Sequence, residues 1–474
     1  MNMRQTYETL RLQIEDILKP NDNFDIVIKP LRIQNIQMKL YMVDGFVKDE
    51  ILEKVINFLL KADIQETVRN ETPQDFCDKF ITYVETNVED NISNMVKAVL
   101  SGSVLLLVEG YQQAIIIDAR TYPTRGMEEP EEDRTLRGSR DGFVETLIFN
   151  TALIRRRIRD PRLHMEYHSV GSSSQTDLVL CYMEDTVNQQ VLEEIRHRLK
   201  NIQVKALTMS QESIAEALCP HSWMNPLPKV RYTERPDTAA SSILEGKVIL
   251  LIDNTPSALM LPTSFFDFVQ EAQDYYLPPI TGNYLRLIRI LVFFITLLVT
   301  PIWFHMNQNP HIVPSWLTFT LINKDMNIPI FLQLIILELG IDAIKLASLN
   351  TPSSLNSSFS IIGALILGDF AVNAGWLAPE IILYMAFVAL ANFTQASYEL
   401  GYAVKFMRIL LLVCIAVLPR YGFWIGIIFV ILIFIRTKTI TKTSYLYPLY
   451  PLNLKDLKKI FIREKLNEHK HCEK

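Results

Sequence analysis

The chain has 474 residues, which is enough for two or three domains, and its formal charge of −5 argues against a nucleic-acid-binding protein. Its five cysteines form no CxxC pair and no metal-ligand spacing, so we expect reduced thiols. The amino-terminus lacks a signal-peptide core, and the apolar residues concentrate between positions 285 and 435. We therefore predict an α/β cytosolic region of two subdomains, followed by an all-α, multi-span transmembrane bundle.

The soluble region is predicted to contain two copies of one α/β pattern. Residues 1–30 form an amphipathic helix and a turn, residues 31–126 a first α/β subdomain, and residues 164–284 a second. The stretch VLSGSVLLLVEG from Val99 matches ILEGKVILLIDN from Ile243, and the first copy predicts a hairpin of Val104–Val108 and Ala114–Asp118. Repeats at a nearly constant offset indicate two similar subdomains, and the alternative is a coincidence between two hairpins.

Residues 127–163 are the most charged stretch of the chain and are predicted as a linker. Acidic residues come first and arginines follow, among them Arg137, Arg140, Arg155, Arg156, Arg157 and Arg159. One interpretation is a solvated linker and helix with local ion pairs, each of which contributes little to stability. The other is a docking surface, either between subunits or against anionic lipid head groups.

No strong catalytic motif is present, so we do not expect an enzyme or a bound cofactor. The loop around Gly138 and Gly142 lacks the GK[ST] ending of a phosphate-binding loop. His164 and His168 have the i, i+4 spacing of a metal-binding helix, but the HExxH order and a third ligand are missing. The sequence therefore predicts neither a catalytic residue nor a metal site.

Residues 285–436 are predicted to cross the membrane four to six times. The predicted spans are Leu287–Phe304, Ile328–Leu349, Ser357–Leu377, Glu380–Thr394 and the stretch Ile409–Ile435, which is broken at Pro419–Gly422. Arg286, Arg289, Lys405 and Arg408 mark cytoplasmic flanks, and residues 437–474 form a basic cytoplasmic tail. Since both termini are then cytoplasmic, an even number of crossings is required and six are favoured over four.

Two of the predicted spans carry polar residues that are costly in lipid. In the second span, Glu338, Asp342 and Lys345 share one face, with Lys345 as a candidate cation partner. In the third span, a stripe of small residues lies beside a face that carries Ile362, Leu365, Asp369 and Asn373. Around an oligomer axis this face would combine a hydrophobic constriction with an acidic ring. The alternative is that Asp369 is neutral, or hydrogen-bonded within one subunit.

Several long motifs resemble one family over nearly the whole chain. They are RTLRGSRDGFVETLIFNTALIRRRIRDPRL, KVRYTERPD, SILEGKVILLIDNTPSALMLPTSFFD and ASYELGYAVKFMRILLL. The chain resembles the A-subunit type of the GerA family of bacterial spore germination proteins. Details such as LILGDFAVNAGWLAPEIILYM favour a branch of that family apart from the nutrient-receptor subunits. One departure is Ala396, which stands where relatives commonly have proline before Ser-Tyr-Glu-Leu.

The resemblance implies a multi-pass protein of the spore inner membrane with its termini on the spore-core side. It also implies a homo-oligomeric channel, pentameric by expectation, that releases monovalent cations or amplifies their release during germination. Other germination membrane proteins and membrane lipids are the implied partners. The alternative function is a non-conducting scaffold that assembles the germinant receptor cluster.

Overall fold

The computed structural model describes residues 3–81, 85–120, 138–207, 209–219, 225–271, 273–322, 327–350, 363, 368, 370–395, 397–441 and 443–461. It divides into two compact units. The first comprises Met1–Pro220 and Val230–Thr263, and the second comprises His221–Lys229 and Ser264–Lys474. The helical unit thus begins before the predicted position 285 and includes a short segment from the middle of the chain.

The first half of unit 1 is a five-stranded antiparallel sheet with helices on both faces. Its elements are α1 (Met3–Leu18), β1 (Ile26–Ile33), β2 (Ile36–Val43), α2 (Asp49–Lys61), α3 (Gln65–Asn70), α4 (Pro73–Phe80), β3 (Thr86–Glu89), α5 (Ile92–Leu100), β4 (Val104–Val108) and β5 (Ala114–Ile117). The strand order is β1-β2-β4-β5-β3. The predicted hairpin is confirmed as β4 and β5, with Val104 opposite Ile117.

The two faces of this sheet explain why β4 is entirely apolar. Alternate side chains of a strand point to opposite faces. Leu106 packs with α2, α3 and α4 on one face, whereas Leu105 and Leu107 pack with α1 and α5 on the other. The predicted amphipathic helix is confirmed as α1, because its apolar stripe of Leu10, Ile14 and Leu18 is buried in this second layer.

The second half of unit 1 repeats the sheet of the first. Its elements are α6 (Leu147–Arg157), β6 (Leu163–Val170), β7 (Thr176–Met183), α7 (Gln189–Lys200), α8 (Ser210–Leu218), β8 (Arg231–Thr233), α9 (Pro236–Leu244), β9 (Val248–Ile252) and β10 (Ala258–Leu261). The strand order is β6-β7-β9-β10-β8, which is the order of the first sheet with each strand replaced by its counterpart. The sequence repeat from Val99 and Ile243 therefore corresponds to a structural repeat.

The segment predicted as a linker, 127–163, contributes a helix to the core of this second half. Helix α6 buries Leu147, Leu153 and Ile154 in the cluster that also contains residues of β7, α9 and β9. A burial pattern of this kind is that of an integral helix and not of a solvated linker. Arg137 lies outside the described residues.

The second unit is helical. After a 3₁₀ turn at Phe265–Phe268 come α10 (Gln273–Tyr276), α11 (Pro279–Gln308), 3₁₀ turns at Pro310–Ile312 and Ser315–Thr320, α12 (Ile330–Asn350), α13 (Ala371–Asn373), α14 (Pro379–Phe393), α15 (Tyr398–Val417), α16 (Gly422–Arg436) and α17 (Leu454–Phe461). Among the described residues, α11 and α15 are long and apolar enough to cross a membrane, and α14 and α16 are shorter apolar helices.

The observed helices depart from the predicted spans most clearly at α15. Lys405 and Arg408, predicted to flank a span that begins at Ile409, instead lie inside the continuous helix α15. That helix starts at an N-cap where the side chain of Ser397 accepts a hydrogen bond from the Leu400 amide. Most of the predicted span Ser357–Leu377 lies outside the described residues. The number of crossings stays a prediction.

The beginning of the predicted basic tail, 437–474, packs inside unit 2. Tyr445 is completely buried and its carbonyl oxygen accepts a 2.9 Å hydrogen bond from the amide of Phe265. The carbonyl of Ile460, in α17, accepts a 2.7 Å hydrogen bond from Arg286. The tail up to residue 461 is therefore a part of the folded unit.

Candidate functional site

Four charged side chains meet inside the helical unit. Glu338 and Asp342 lie one turn apart on α12, and Lys405 and Arg408 lie one turn apart on α15, so each pair shares a helix face. Glu338, Lys405 and Arg408 are buried, and Asp342 is half-buried. We call these four residues the buried charge cluster.

Arg408 makes the tightest contacts in the buried charge cluster. Its Nε and Nη2 atoms donate to Oε1 of Glu338 at 2.7 and 2.5 Å. Its Nη1 atom donates to the carbonyl oxygen of Thr296 on α11 at 2.8 Å. A guanidinium with its donors fixed in a plane is well suited to join two partners at once. Arg408 thereby ties together three helices, α11, α12 and α15.

Lys405 completes the cluster on the side of Asp342. Its Nζ atom donates to the carboxylate of Asp342 and lies 3.6 Å from Oε2 of Glu338. It also donates to the backbone carbonyl of Glu338 at 3.4 Å. With two carboxylates and two cations, the cluster is electrically balanced.

The buried charge cluster lies at the middle of an apolar helix. Arg408 is about 15 Å from the first residue of the 20-residue helix α15, at the helical rise of about 1.5 Å per residue. Charged groups in an apolar surrounding are costly unless they are paired and hydrogen-bonded. The ion pairs of the buried charge cluster offset that cost within one chain.

The predicted cation partner of Glu338 and Asp342 was wrong. We expected Lys345 to serve as the cation, but its Nζ atom lies 4.8 Å from the ring centre of Phe393 and 6.0 Å from that of Tyr402. Such contacts are cation–π interactions. Glu338 is instead buried and paired with Arg408.

The residues predicted for the pore face are mostly outside the described part of the chain. Ile362, Leu365 and Asp369 belong to that undescribed part, and their role stays a prediction. Asn373 ends the short helix α13 and is exposed.

A second charged group lies at the start of α11. The carboxylate of Asp274 is completely buried and accepts hydrogen bonds from Nη1 of Arg289 at 2.7 and 2.8 Å. Arg286 approaches the same carboxylate at 3.5 Å, and Arg289 also donates to Glu271 at 2.7 Å. The two arginines, read from the sequence as markers of a cytoplasmic flank, are therefore internal ion-pair partners.

In unit 1, the arginine-rich stretch separates into internal and surface residues. Arg155 is completely buried, and its Nε and Nη2 atoms donate to Asp25 at 2.9 and 3.2 Å. Since Asp25 precedes β1 and Arg155 lies in the last turn of α6, this pair joins the two halves of unit 1. Arg155 is thus unavailable as a docking residue, and the half-buried Arg157 is paired with Asp141 at 2.6 Å.

The exposed part of the predicted docking surface is smaller than the sequence suggested. Arg140 and Arg159 are exposed, and Arg156 is half-buried. The Nε atom of Arg159 donates to the backbone carbonyl of Arg156 at 3.3 Å. Among the described arginines of this predicted surface, Arg140 and Arg159 are the exposed ones.

His164 and His168 lie on strand β6, so the helical spacing assumed for them was wrong. His164 stacks on Tyr182 and its Nε2 atom is 3.2 Å from Glu184. His168 is 2.8 Å from Glu166. No group of three or more His, Cys, Asp or Glu side chains among the described residues has the arrangement of a metal site.

Several of these groups line a polar cleft of about 460 Å³ in unit 1. Four of its charged groups pair with one another: Lys19 contacts Glu184 at 2.8 Å, and Arg196 donates to Glu166 at 2.9 Å. Burial raises the pKa of Glu166, but the neighbouring His168 and Arg196 outweigh it and lower the pKa to about 2. The pair of Glu166 and Arg196 holds β6 against α7.

The comparison with known proteins decides the family. The model described as Bacillus/Clostridium GerA spore germination protein matches residues 13–474. The chain belongs to the GerA family. It is 37% identical to stage V sporulation protein AF of Bacillus subtilis (strain 168), over 93% of this chain and 89% of that protein. It is 29% identical to spore germination protein GerLA of Bacillus cereus, over 87% of this chain and 84% of that protein.

These similarities confirm the family resemblance read from the motifs. The crystal structure of the N-terminal domain of the A subunit of the Bacillus megaterium germinant receptor GerK3 aligns with 52% of this chain and 91% of that domain, at 25% identity and a TM-score of 0.40. The match to the family model and to stage V sporulation protein AF makes this chain a GerA-family spore germination or sporulation protein.

Sequence reasoning missed the pairing of the buried charge cluster, although a signal was present. The acidic pair on α12 and the basic pair on α15 are each at helical spacing within apolar segments. Opposite charges in separate membrane helices are expected to pair, because each is costly alone. That rule indicates that the acidic residues of α12 pair with the basic residues of α15, but it does not say which residue pairs with which.

Proposed function

We propose that this GerA-family chain is a subunit of an oligomeric channel that releases monovalent cations across the spore inner membrane during germination. The observation that carries the proposal is the buried charge cluster at the middle of apolar helices. Ionisable residues in such positions mark ion pathways and the elements that gate them. The similarity to stage V sporulation protein AF supports a role close to, but distinct from, that of nutrient-receptor subunits.

The buried charge cluster acts as a latch in this proposal. Its carboxylates are neutralised by Lys405 and Arg408, so they offer no free ligands to a passing cation. Its three-helix connection through Arg408 fixes the positions of α11, α12 and α15 relative to one another. Conduction then requires a separate polar surface, and the predicted third span supplies it with Asp369 and Asn373, beside Ile362 and Leu365.

The assembly and its place in the membrane follow from the same proposal. A homo-oligomer, with five copies as the working number, places the third spans around one axis, so that Asp369 forms a ring of carboxylates that favours cations. The chain crosses the membrane several times, with both termini on the core side. Other germination membrane proteins and the surrounding lipids are its partners.

The test is potassium efflux from liposomes that contain the purified full-length protein. Asp369→Asn should lower the flux and the preference for cations over anions, because it removes the charge at nearly constant size. Glu380→Gln is the matched control, since it removes one carboxylate at the start of α14. If the oligomeric protein conducts and Asp369→Asn behaves like Glu380→Gln, the third span is not the selective surface.

The second candidate function is a non-conducting scaffold, which the exposed Arg140 and Arg159 favour. In that case the double replacement Arg140→Gln/Arg159→Gln should disperse clusters of germination proteins in spores. The absence of cation flux from liposomes with confirmed oligomers would favour the scaffold over the channel.

A further inference from the structure

We propose that three exposed tryptophans of the helical unit form one ring that lies at the boundary between lipid head groups and acyl chains. They are Trp316, Trp376 and Trp424, which are 72%, 63% and 64% exposed. The ring defines one membrane surface of the protein. This inference does not depend on whether the protein conducts ions.

Trp316 lies at the carboxyl-terminal end of α11. It belongs to the 3₁₀ turn Ser315–Thr320, whose last carbonyl accepts a 2.8 Å hydrogen bond from the indole of the buried Trp303. Phe319, which is 77% exposed, follows Trp316 by three residues. Residues three apart in a 3₁₀ helix share one face, so the two rings project together.

Trp424 lies at the same end of the unit. The side-chain Nδ2 of Asn309, just after the end of α11, donates to the carbonyl of Pro419 in the turn before α16 at 2.8 Å. The ring of His305 stacks on Phe423 at 5.6 Å between centroids. These contacts place the start of α16, and Trp424 with it, beside the end of α11.

Trp376 lies just before α14 and is held at that end by two further contacts. The amide of Ala378 donates to the side chain of Gln333, near the start of α12, at 2.8 Å. Tyr384, in α14, packs its ring 5.0 Å from that of Trp303. The buried Trp303 is therefore a common neighbour of the segments that carry Trp316 and Trp376.

A lipid interface is the surrounding that suits this ring. Tryptophan has a large apolar body and one N–H group, and it is enriched where acyl chains meet head groups. Arg420, also exposed, lies with its guanidinium 5.7 Å from the ring centre of Tyr421 in the same region. Its charge is suited to a lipid phosphate. This contact accounts for an arginine in the turn between α15 and α16, on the side of the membrane opposite to the basic cytoplasmic flanks.

The experiment measures fluorescence quenching in the full-length protein, reconstituted into vesicles of phosphatidylcholine and phosphatidylglycerol. Each reporter protein keeps Trp303 and one exposed tryptophan, while the others, including Trp223 outside the described residues, are changed to Phe. The protein that retains Trp303 alone is the control whose emission is subtracted. Bromine is placed on the phosphatidylcholine chains either near the head group or near the bilayer centre, and acrylamide probes access from water.

Each reporter is expected to lose about half of its emission to the shallow bromine and clearly less to the deep bromine or to acrylamide, as an interfacial indole should. Strong quenching by acrylamide alone would place the residue in water and overturn the proposal. Protection from every quencher would assign the surface to a contact with a second copy, and would also overturn it. The tryptophan emission of the unmutated protein is measured in the same vesicles, and the shallow bromine should again quench it more than the deep bromine or acrylamide does. The reverse ranking would count against the ring even if a variant misfolds.

Discussion

Arg408→Met is the sharpest test of the buried charge cluster. The substitution keeps an unbranched, flexible side chain but removes the guanidinium that holds Glu338 and the Thr296 carbonyl. The remaining cluster then has two carboxylates and one cation, so a negative charge is left uncompensated in an apolar surrounding. Removing one partner of a buried ion pair costs about 3–5 kcal/mol.

Lys405 determines where in that range the loss should fall. Its Nζ atom lies 3.6 Å from Oε2 of Glu338 and retains part of the compensation. We therefore expect a loss of about 3 kcal/mol, which corresponds to a fall in melting temperature of about 6–12 °C for a unit of this size. The double variant Glu338→Gln/Arg408→Met restores charge balance through Lys405 and Asp342, so its loss should be about 1 kcal/mol.

The assay is thermal unfolding of the full-length protein in detergent, followed by the fraction that stays monodisperse. Arg436→Met is the control, since Arg436 is exposed at the end of α16 and its removal should cost less than about 1 kcal/mol. The reasoning is refuted if Arg408→Met is no less stable than this control. It is also refuted if the double variant loses as much as the sum of its two single variants, because the residues would then not interact.

Four further predictions concern both units. Arg155→Lys should destabilise unit 1 by about 2–3 kcal/mol, because a lysine cannot reproduce the buried fork, whereas the exposed Arg159→Gln should stay within about 0.5 kcal/mol in the same urea titration. Glu166→Gln should lower the melting temperature at neutral pH, and since the pKa of Glu166 falls from its ordinary 4.5 to about 2, the difference from the parent protein should shrink as pH drops through that interval; a constant difference would contradict the ion pairs. Burial raises the pKa of Cys77 to about 11, so this thiol should resist maleimide labelling in the folded protein and react in denaturant, and rapid labelling of the native chain would count against its burial. Gly422→Ala should destabilise the α15–α16 pair by about 1–3 kcal/mol in the detergent unfolding assay, because the added methyl would meet the carbonyl of Cys414, and an unchanged melting temperature would show that the helices can separate freely.

Local patterns in the sequence were sufficient for much of unit 1. The alternation of apolar residues predicted the β4–β5 hairpin, and the apolar stripe predicted α1. The repeat from Val99 and Ile243 correctly indicated two similar halves, because both copies encode a helix end followed by two buried strands. In the helical unit, the apolar runs predicted α11 and α14. Most of the predicted helix ends lie within a few residues of the observed ones, and the exception is the start of α11.

Other features were misread because the pattern allows two structures. The i, i+4 spacing of His164 and His168 also places both side chains on one face of a strand, and only the pairing of β6 with β7 shows that a strand is present. The arginines between positions 134 and 162 have the composition of a solvated surface. Arg155 is buried because it lies on the packed side of α6, whereas Arg159 is exposed because it follows the end of that helix.

The sequence by itself determined the family, the two-unit order, the repeated α/β pattern and the presence of charged residues within apolar helices. These features depend on composition and on neighbours close along the chain. Only the tertiary structure decided which charges pair. Glu338 and Arg408 are 70 residues apart, and Asp25 and Arg155 are 130 apart. Such pairs form only when packing has fixed the rotation of one element against another, because an unpaired charge cannot be buried without a large loss of solvation.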